Sequence, residues 1–241
     1  MIYKKNSYVS GSMCDCMTKL SILAADGIVE NAVTELMGDL EIDGIVAIEK
    51  YNAMWLFVKN SISFIRRPEW REEFCVRSFI SNCKGVKLDI DTEIKSPEGE
   101  LLVTARTELA AIDLESKRIR KVDTVGCTEE MVHPGDEIIV FSRFPKFESE
   151  SNTQITVRST DIDYCFHTNN IQYIRFMLDT YNTDWFKTHD PALIEVHYLG
   201  QSFEGETLDI GRMHTEAGDL FSIKRDGIEV TSCMISWRDK S

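Results

Sequence analysis

Asp161-Ile-Asp-Tyr-Cys-Phe-His-Thr-Asn-Asn-Ile-Gln-Tyr173 gathers two carboxylates, a thiol, an imidazole and two carboxamides into thirteen residues. An amphipathic run follows at once, with Ile171, Ile174, Met177, Leu178 and Tyr181 at helical spacing. Asn169 or Asn170 caps that helix, because a carboxamide oxygen accepts from one of the free backbone N–H groups. The polar cluster is therefore a loop that ends on a helix N-terminus. Unpaired N–H groups and the positive end of the helix dipole favour negative charge there. An anionic transition state belongs in such a place.

Upstream of this stretch, residues 153–157 read as a strand. Downstream, after a helix expected to run over 170–186, four more strands follow at 194–198, 207–212, 220–225 and 229–237. The first half of the chain has the same order. A polar stretch at 3–13 forms a first strand, and residues 20–40 carry apolar side chains at 20, 23, 24, 28, 29, 32, 33 and 36. Strands are then expected at 53–65, 73–80, 87–95 and 101–112. Val86, Leu88, Ile90, Thr92 and Ile94 alternate with polar residues, the period of a half-buried antiparallel strand. Ser96-Pro-Glu-Gly99 is a turn between two of them.

The two halves also correspond locally. Trp70-Arg-Glu-Glu-Phe-Cys-Val76 matches Gly205-Glu-Thr-Leu-Asp-Ile210 as a loop entering a strand. Pro97-Glu-Gly-Glu-Leu-Leu-Val103 matches Lys224-Arg-Asp-Gly-Ile-Glu-Val230 before a long last strand. One long helix against a curved antiparallel sheet, written twice, is the layout of an α+β tandem, or double, hotdog. Residues 1–125 form the first hotdog and 151–241 the second. Residues 126–150, with Gly126, Pro134, Gly135 and Pro145 and no sustained period, are the linker, and Ile138–Phe141 is expected to pack within it.

Composition narrows the functional classes. Forty acids against twenty-seven bases give a formal charge of −13, which disfavours a nucleic-acid binder resting on phosphate neutralisation. Basic residues do cluster at Arg66, Arg67 and Arg71 around Trp70, and at Lys117, Arg118, Arg120 and Lys121. Solvated loop charge explains them first, and a docking patch for an acidic partner second. Seven cysteines without C-x-x-C spacing point to reduced thiols in a cytoplasmic protein. The N-terminus lacks the apolar core of a signal peptide, and no apolar run approaches the length of a membrane span. His133, His189, His197 and His214 show no metal-ligand spacing, so neither a metal nor a cofactor is expected.

Asp161-x-Asp163-x-x-x-His167-x-Asn169-Asn170-x-x-Tyr173 resembles the active-site segment of the acyl-acyl carrier protein thioesterases of bacteria and plant plastids. Trp55 and Arg67-Pro-Glu-Trp70 resemble the first-domain segment of the same family. The resemblance spans nearly the whole chain. It implies a thioester hydrolase acting on acyl carrier protein through the phosphopantetheine arm, with catalysis in the second hotdog and the acyl pocket and carrier docking in the first. It assigns Asp163 and His167 as the catalytic aspartate and histidine. Two positions depart from the family pattern: Cys165 stands where an asparagine is expected, and Gln201 where a glutamate is, beside Ser202 in place of a cysteine.

Asp163 could deprotonate water or attack the thioester itself, with backbone N–H groups at 167–170 receiving the oxyanion. Gln201 can hydrogen-bond but cannot serve as a base. Cys165 is either a thiolate nucleophile activated by His167 and the helix end or a space-filling substitute, and the second reading is preferred because an aspartate-driven reaction needs no thiol. Cys14 and Cys16 flank Asp15 at the place equivalent to Asp163, as a vestigial site or as plain thiols. Met13, Met17, Met37 and Met54, with Trp55 and Phe57, either line an acyl pocket or form core. The alternatives to hydrolysis of acyl carrier protein substrates are a non-hydrolytic acyl- or carrier-binding hotdog and an acyl-CoA thioesterase. A homodimer is possible, although an internal duplication already supplies the pairing that single hotdogs obtain by dimerising.

Overall fold

The computed structural model describes residues 1–133 and 139–240. It divides into two compact units, Met1–Cys14 with Thr18–Val140, and Asp15–Met17 with Phe141–Ser241. The first contains β1 (Tyr3–Tyr8), α1 (Ile22–Asp39), α2 (Gly44–Tyr51), β2 (Ala53–Phe64), β3 (Glu73–Lys84), β4 (Lys87–Lys95), β5 (Leu101–Asp113) and the short β6 (Ile119–Arg120). The second contains β7 (Ser151–Thr156), α3 (Asn170–Leu178), α4 (Thr183–Thr188), β8 (His189–Tyr198), β9 (Thr207–Thr215), β10 (Gly218–Arg225) and β11 (Ile228–Asp239).

Within the first unit the strand order is β1-β3-β4-β5-β2, with β6 paired to β5. Within the second it is β7-β9-β10-β11-β8. The two orders are the same when the strands of each unit are counted from its start, and the pairings inside each unit are antiparallel. The duplication expected from a handful of matched residues is thus a duplication of topology.

Helix α1 begins where the Ser21 hydroxyl accepts from the Ala24 N–H at 3.1 Å. Its buried stripe is Ile22, Ala25, Asp26, Val29, Ala32, Val33, Leu36 and Met37. The sequence expectation had the right period but the wrong phase at its start: Leu23, Ala24 and Ile28 are only half-buried, and the charged Asp26 takes an inward place. Val33, Leu36 and Met37 pack with Ile80 and Cys83 of β3, Leu88 and Ile90 of β4, and Leu109 of β5. Trp55 and Phe57 pack against the same cluster, and the Trp55 indole donates to the Ile42 carbonyl at 2.7 Å. Met37 belongs to this buried core, and Trp55 and Phe57 are half-buried against it.

Two helical details differ from expectation. Helix α2 falls in residues the sequence reading left without an element; eight residues are too few for a sustained period, and its Asp43 cap, accepting from Ile45 and Val46, is the signal that marks it. The single helix expected over 170–186 is two. Thr180 turns its hydroxyl back to the Met177 carbonyl at 2.7 Å, and Asn182 caps α4 by accepting from Trp185 at 2.9 Å. The break carries Tyr181 inward, where its hydroxyl donates to the fully buried Asp219 at 2.5 Å and accepts from the Trp237 indole at 3.1 Å.

Residues 139–150 hold no helix and no strand. They are nonetheless tied down: the Ser142 N–H and hydroxyl donate to the Glu195 carboxylate at 2.7 and 3.2 Å, and Phe144 stacks on His197 at 4.3 Å. Phe141 also meets the His197 ring, edge-on at 6.3 Å. Of the stretch expected to pack here, Ile138 lies outside the described residues, as do residues 134–137 of the expected linker.

Candidate active site

The loop ahead of α3 is a small hairpin closed by its own backbone. Ile162 and Thr168 pair as an antiparallel bridge, and the Asp163 N–H donates to the His167 carbonyl at 3.0 Å. A tight turn follows, with the Phe166 N–H donating to the Asp163 carbonyl at 3.1 Å and Phe166 itself at φ +63°. Asp163 and His167 therefore stand opposite each other across the neck of the turn. Their nearest polar atoms, Oδ2 and Nδ1, are 3.5 Å apart. The other carboxylate oxygen accepts from the Cys165 N–H at 2.8 Å, an Asx turn that fixes the carboxylate's orientation. Nδ1 also lies 3.3 Å from the Thr168 carbonyl oxygen.

A set of buried and half-buried hydrogen bonds holds this hairpin in place. Asp161 accepts from the Arg158 N–H at 2.8 Å and from the Arg175 guanidinium of α3 at 2.7 Å, while its carbonyl receives the Asn169 N–H. Asn169, rather than Asn170, is the helix cap, accepting from Ile171 at 3.1 Å. Thr168 and the Tyr173 hydroxyl converge on Ser202, at 2.7 and 2.8 Å from its hydroxyl, and the Thr168 N–H donates to the Ser202 carbonyl at 2.8 Å. Burial raises the Tyr173 phenol above its ordinary range, partly offset by its bonds to Ser202 and Thr168. Sequence reading noted Ser202 only as a departure; its anchoring role depends on a pairing thirty-four residues away, which no local pattern reports.

Asp163, Cys165 and His167 are brought together: one ligand-type atom from each lies within 4.8 Å of the others. Cys165 is exposed at the turn, between Tyr164 and Phe166, which are 90% and 82% exposed. Partial burial of its thiol, and after it the Asp163 carboxylate, raise the thiol above its ordinary range. The protonated form therefore prevails at neutral pH, which weighs against a resting thiolate. Gln201 is exposed, and its carbonyl receives the Arg225 guanidinium at 2.6 Å. Among the described residues its side chain makes no hydrogen bond to Asp163, Cys165 or His167. Of the N–H groups from His167 to Ile171, those of Thr168, Asn169 and Ile171 are committed, and among the described residues those of His167 and Asn170 are not.

The segment Cys14–Leu20 ahead of α1 repeats this loop with different side chains. Cys14 and Leu20 form the equivalent bridge, Thr18 has φ +58°, and the Met17 N–H donates to the Asp15 carboxylate at 2.8 Å. The Leu20 N–H donates to the Pro68 carbonyl, as Thr168 does to Ser202. Lys19 stands in the place of His167 and Met17 in that of Cys165.

The first basic cluster is not an open patch. Arg67 is buried and donates to the Leu20 carbonyl at 3.1 Å. Arg66 pairs with Glu72 and Glu100 at 2.7 and 3.1 Å. Arg71 stacks on Trp70 at 4.4 Å. The scattered histidines have partners of their own: His189 stacks on Trp185, His197 meets Glu195 at 2.9 Å and His214 meets Asp219 at 2.9 Å.

Residues 145–239 match the family model of the acyl-ACP thioesterase C-terminal domain. Among solved structures, the chain is similar to an acyl-ACP thioesterase from Bacteroides thetaiotaomicron, with a TM-score of 0.89 and 19% identity over 98% of both chains. It is also similar to the 12:0-ACP thioesterase from Umbellularia californica, with a TM-score of 0.84 and 16% identity over 99% and 98% of the two chains. These likenesses carry the fold, a tandem hotdog. Among curated proteins, an oleoyl-acyl carrier protein thioesterase from the chloroplast of Arabidopsis thaliana is 20% identical over 175 residues, 67% of this chain and 48% of that protein. A chloroplastic acyl-[acyl-carrier-protein] hydrolase of Cuphea viscosissima is 24% identical over 157 residues, 62% and 38% of the respective chains. The chain thus spans about half or less of the length of these relatives.

Proposed function

We propose that this chain, which matches the acyl-ACP thioesterase family over residues 145–239 and shares that family's tandem-hotdog fold, hydrolyses the thioester joining a fatty acyl chain to acyl carrier protein. The observation that carries the reading is the Asp163–His167 pair, 3.5 Å apart on a rigid turn leading to the N-terminus of α3. Asp163 takes a proton from water as the water attacks the thioester carbonyl. His167 steadies the carboxylate, takes that proton from it and delivers it to the departing phosphopantetheine thiolate, so both groups return to their starting state. The N–H groups of His167 and Asn170, at the positive end of the helix, receive the oxyanion. The products are a free fatty acid and the carrier's thiol.

On this reading Cys165 is a neighbour of the reaction and not its nucleophile, because partial burial and the Asp163 charge raise its thiol and an aspartate-driven reaction needs no thiolate. Free thiols, and a chain in which no described helix is long and apolar enough to cross a membrane, fit a reaction in the cytoplasm.

A second reading has one observation in its favour. Gln201, where the family resemblance expects a glutamate, is exposed and makes no bond to the pair. A chain that binds acyl carrier protein or acyl chains without hydrolysing them would tolerate that arrangement. Incubation with acyl-ACP and acyl-CoA, followed by quantitation of released fatty acid, separates the readings. Turnover is expected with acyl-ACP. Asp163→Asn and His167→Ala should each lower kcat by about 100-fold or more, within the range of a lost acid–base group. Cys165→Ser should lower it only a few-fold. Binding without turnover on either substrate would support the non-hydrolytic reading, and loss of turnover in Cys165→Ser as complete as in Asp163→Asn would make the thiol the nucleophile.

A further inference from the structure

We propose that the turn carrying the catalytic pair is also a binding site for a thiophilic divalent cation of the zinc class, held by Asp163, Cys165 and His167. A carboxylate oxygen, a sulfur and an imidazole nitrogen lie within 4.8 Å of one another, one from each residue. The oxygen–nitrogen edge is 3.5 Å. Two such donors, each about 2.1 Å from a tetrahedral zinc ion, stand about 3.4 Å apart. That edge needs almost no movement. A zinc–sulfur bond of about 2.3 Å asks for sulfur edges of about 3.6 Å, which rotation of the exposed Cys165 side chain about χ1 can reach.

The turn supplies the rest of what a metal site requires. The Cys165 N–H already holds one Asp163 oxygen at 2.8 Å and leaves the other facing the imidazole, an outer contact that orients a ligand. On binding, His167 Nδ1 exchanges its 3.3 Å contact with the Thr168 carbonyl for the cation, and the thiol proton leaves to solvent as the sulfur–metal bond forms. The exposure of Cys165 leaves a fourth position open to water. One sulfur, one nitrogen and one oxygen donor select zinc over magnesium or calcium, which prefer oxygen alone. Ahead of α1, Met17 and Lys19 stand in the places of Cys165 and His167, so the duplicated loop lacks these two donors at the matching positions.

A cation held there occupies the carboxylate and imidazole assigned to hydrolysis, and would make the enzyme zinc-inhibited. That consequence rests on the thioesterase reading; the binding itself does not. The test is a cobalt(II) titration of the full chain, followed by absorption, in the absence of substrate. A thiolate-to-cobalt charge-transfer band saturating at one equivalent and displaced by zinc is expected. It should be lost in Cys165→Ser, whose zinc affinity should fall about 100-fold, at or above the upper end of what losing an outer partner costs. It should persist when Cys14 and Cys16 are both replaced by serine. Circular dichroism of each variant separates lost binding from lost folding, and His167→Ala, which keeps the thiol, should shift the band and weaken it. No band at one equivalent, or a band that survives Cys165→Ser, would overturn the site. Fatty acid release by the chelator-treated chain, with and without zinc, is read separately: a band without hydrolysis sinks the thioesterase reading alone, and hydrolysis indifferent to saturating zinc sinks the inhibition.

Discussion

Asp26 has no solvent exposure on the inward stripe of α1, in line with Ile22, Val29 and Val33. Its one hydrogen bond among the described residues comes from the Asn60 carboxamide at 2.6 Å, and Asn60 in turn accepts from Thr107 at 3.2 Å. Oδ2 has no partner. Burial, with the neighbouring Glu30 charge second, holds this carboxyl well above the ordinary carboxylate range, against the Asn60 bond that lowers it. The sign of the consequence is the reverse of that for a salt-bridged aspartate. Below the unfolded value both states carry the proton and nothing is lost. As pH rises from there toward the raised native value, the unfolded chain ionises while the native one does not, so native stability falls. Asp26→Asn keeps an acceptor for Asn60 and has no proton to lose. The variant should be more stable than the parent at pH 7, and the gap should close at pH 4. Urea midpoints at the two values measure it; a gap that does not change with pH would mean that Asp26 does not fold in its protonated form.

Elements were legible in the sequence wherever one face is wet. Strand β4 alternates between buried Leu88, Ile90 and Ile94 and more polar neighbours, and its expected bounds agree with the structure. Helix α1 was legible in period, but a buried Asp26 breaks the apolar code by which its phase is read. The division of 170–186 into α3 and α4 was hidden because Tyr181 continues the apolar spacing while serving a different end, the bond to Asp219. At the candidate site, Asp163, Cys165 and His167 are local and share one turn, so spacing could find them. Their anchor could not be found so: Ser202 reaches Thr168 and Tyr173 only through the folded chain. That anchor belongs to the scale of the element, since it seats the whole hairpin against the loop that follows β8. Ser202→Ala removes the hydroxyl that Tyr173 and Thr168 share, and while Thr168 keeps its bond to the Ser202 carbonyl at 3.0 Å, the buried Tyr173 hydroxyl loses this partner, a loss of about 1–3 kcal/mol. The thermal midpoint should fall accordingly, and kcat should fall with it while KM moves little, because the turn proposed to carry catalysis loosens as a body. A fully stable Ser202→Ala chain with unchanged kcat would leave the anchor without a role.

Charge works over the whole molecule. On the proposed acyl-ACP reading, a net −13 repels an anionic carrier at long range, so productive encounter needs a local exception. The cluster around Trp70 does not provide one, because Arg67 is buried and Arg66 is neutralised by two acids. The other basic cluster survives folding. The turn between β5 and β6 leaves Lys117 and Arg118 exposed, Lys121 follows exposed, and Ile119 between them is 62% exposed. Among the described residues no acid pairs with those three side chains, whereas Arg120 beside them is spent on the Tyr51 carbonyl, Thr124 and Asp113. Three unpaired cations around an exposed apolar side chain fit a carrier protein that docks by charge and is held by a small apolar contact. Reversing all three to glutamate should therefore raise KM for acyl-ACP by about 10-fold, equivalent to about 1.4 kcal/mol of lost binding, and should leave kcat in place. The parent's KM should climb with salt as surface charges are screened, and the variant's should not. Acyl-CoA, which brings no protein surface, is the control. An equal rise in KM on both substrates would place the effect in the acyl or pantetheine site, and an unchanged KM on acyl-ACP would return the turn to ordinary solvated charge.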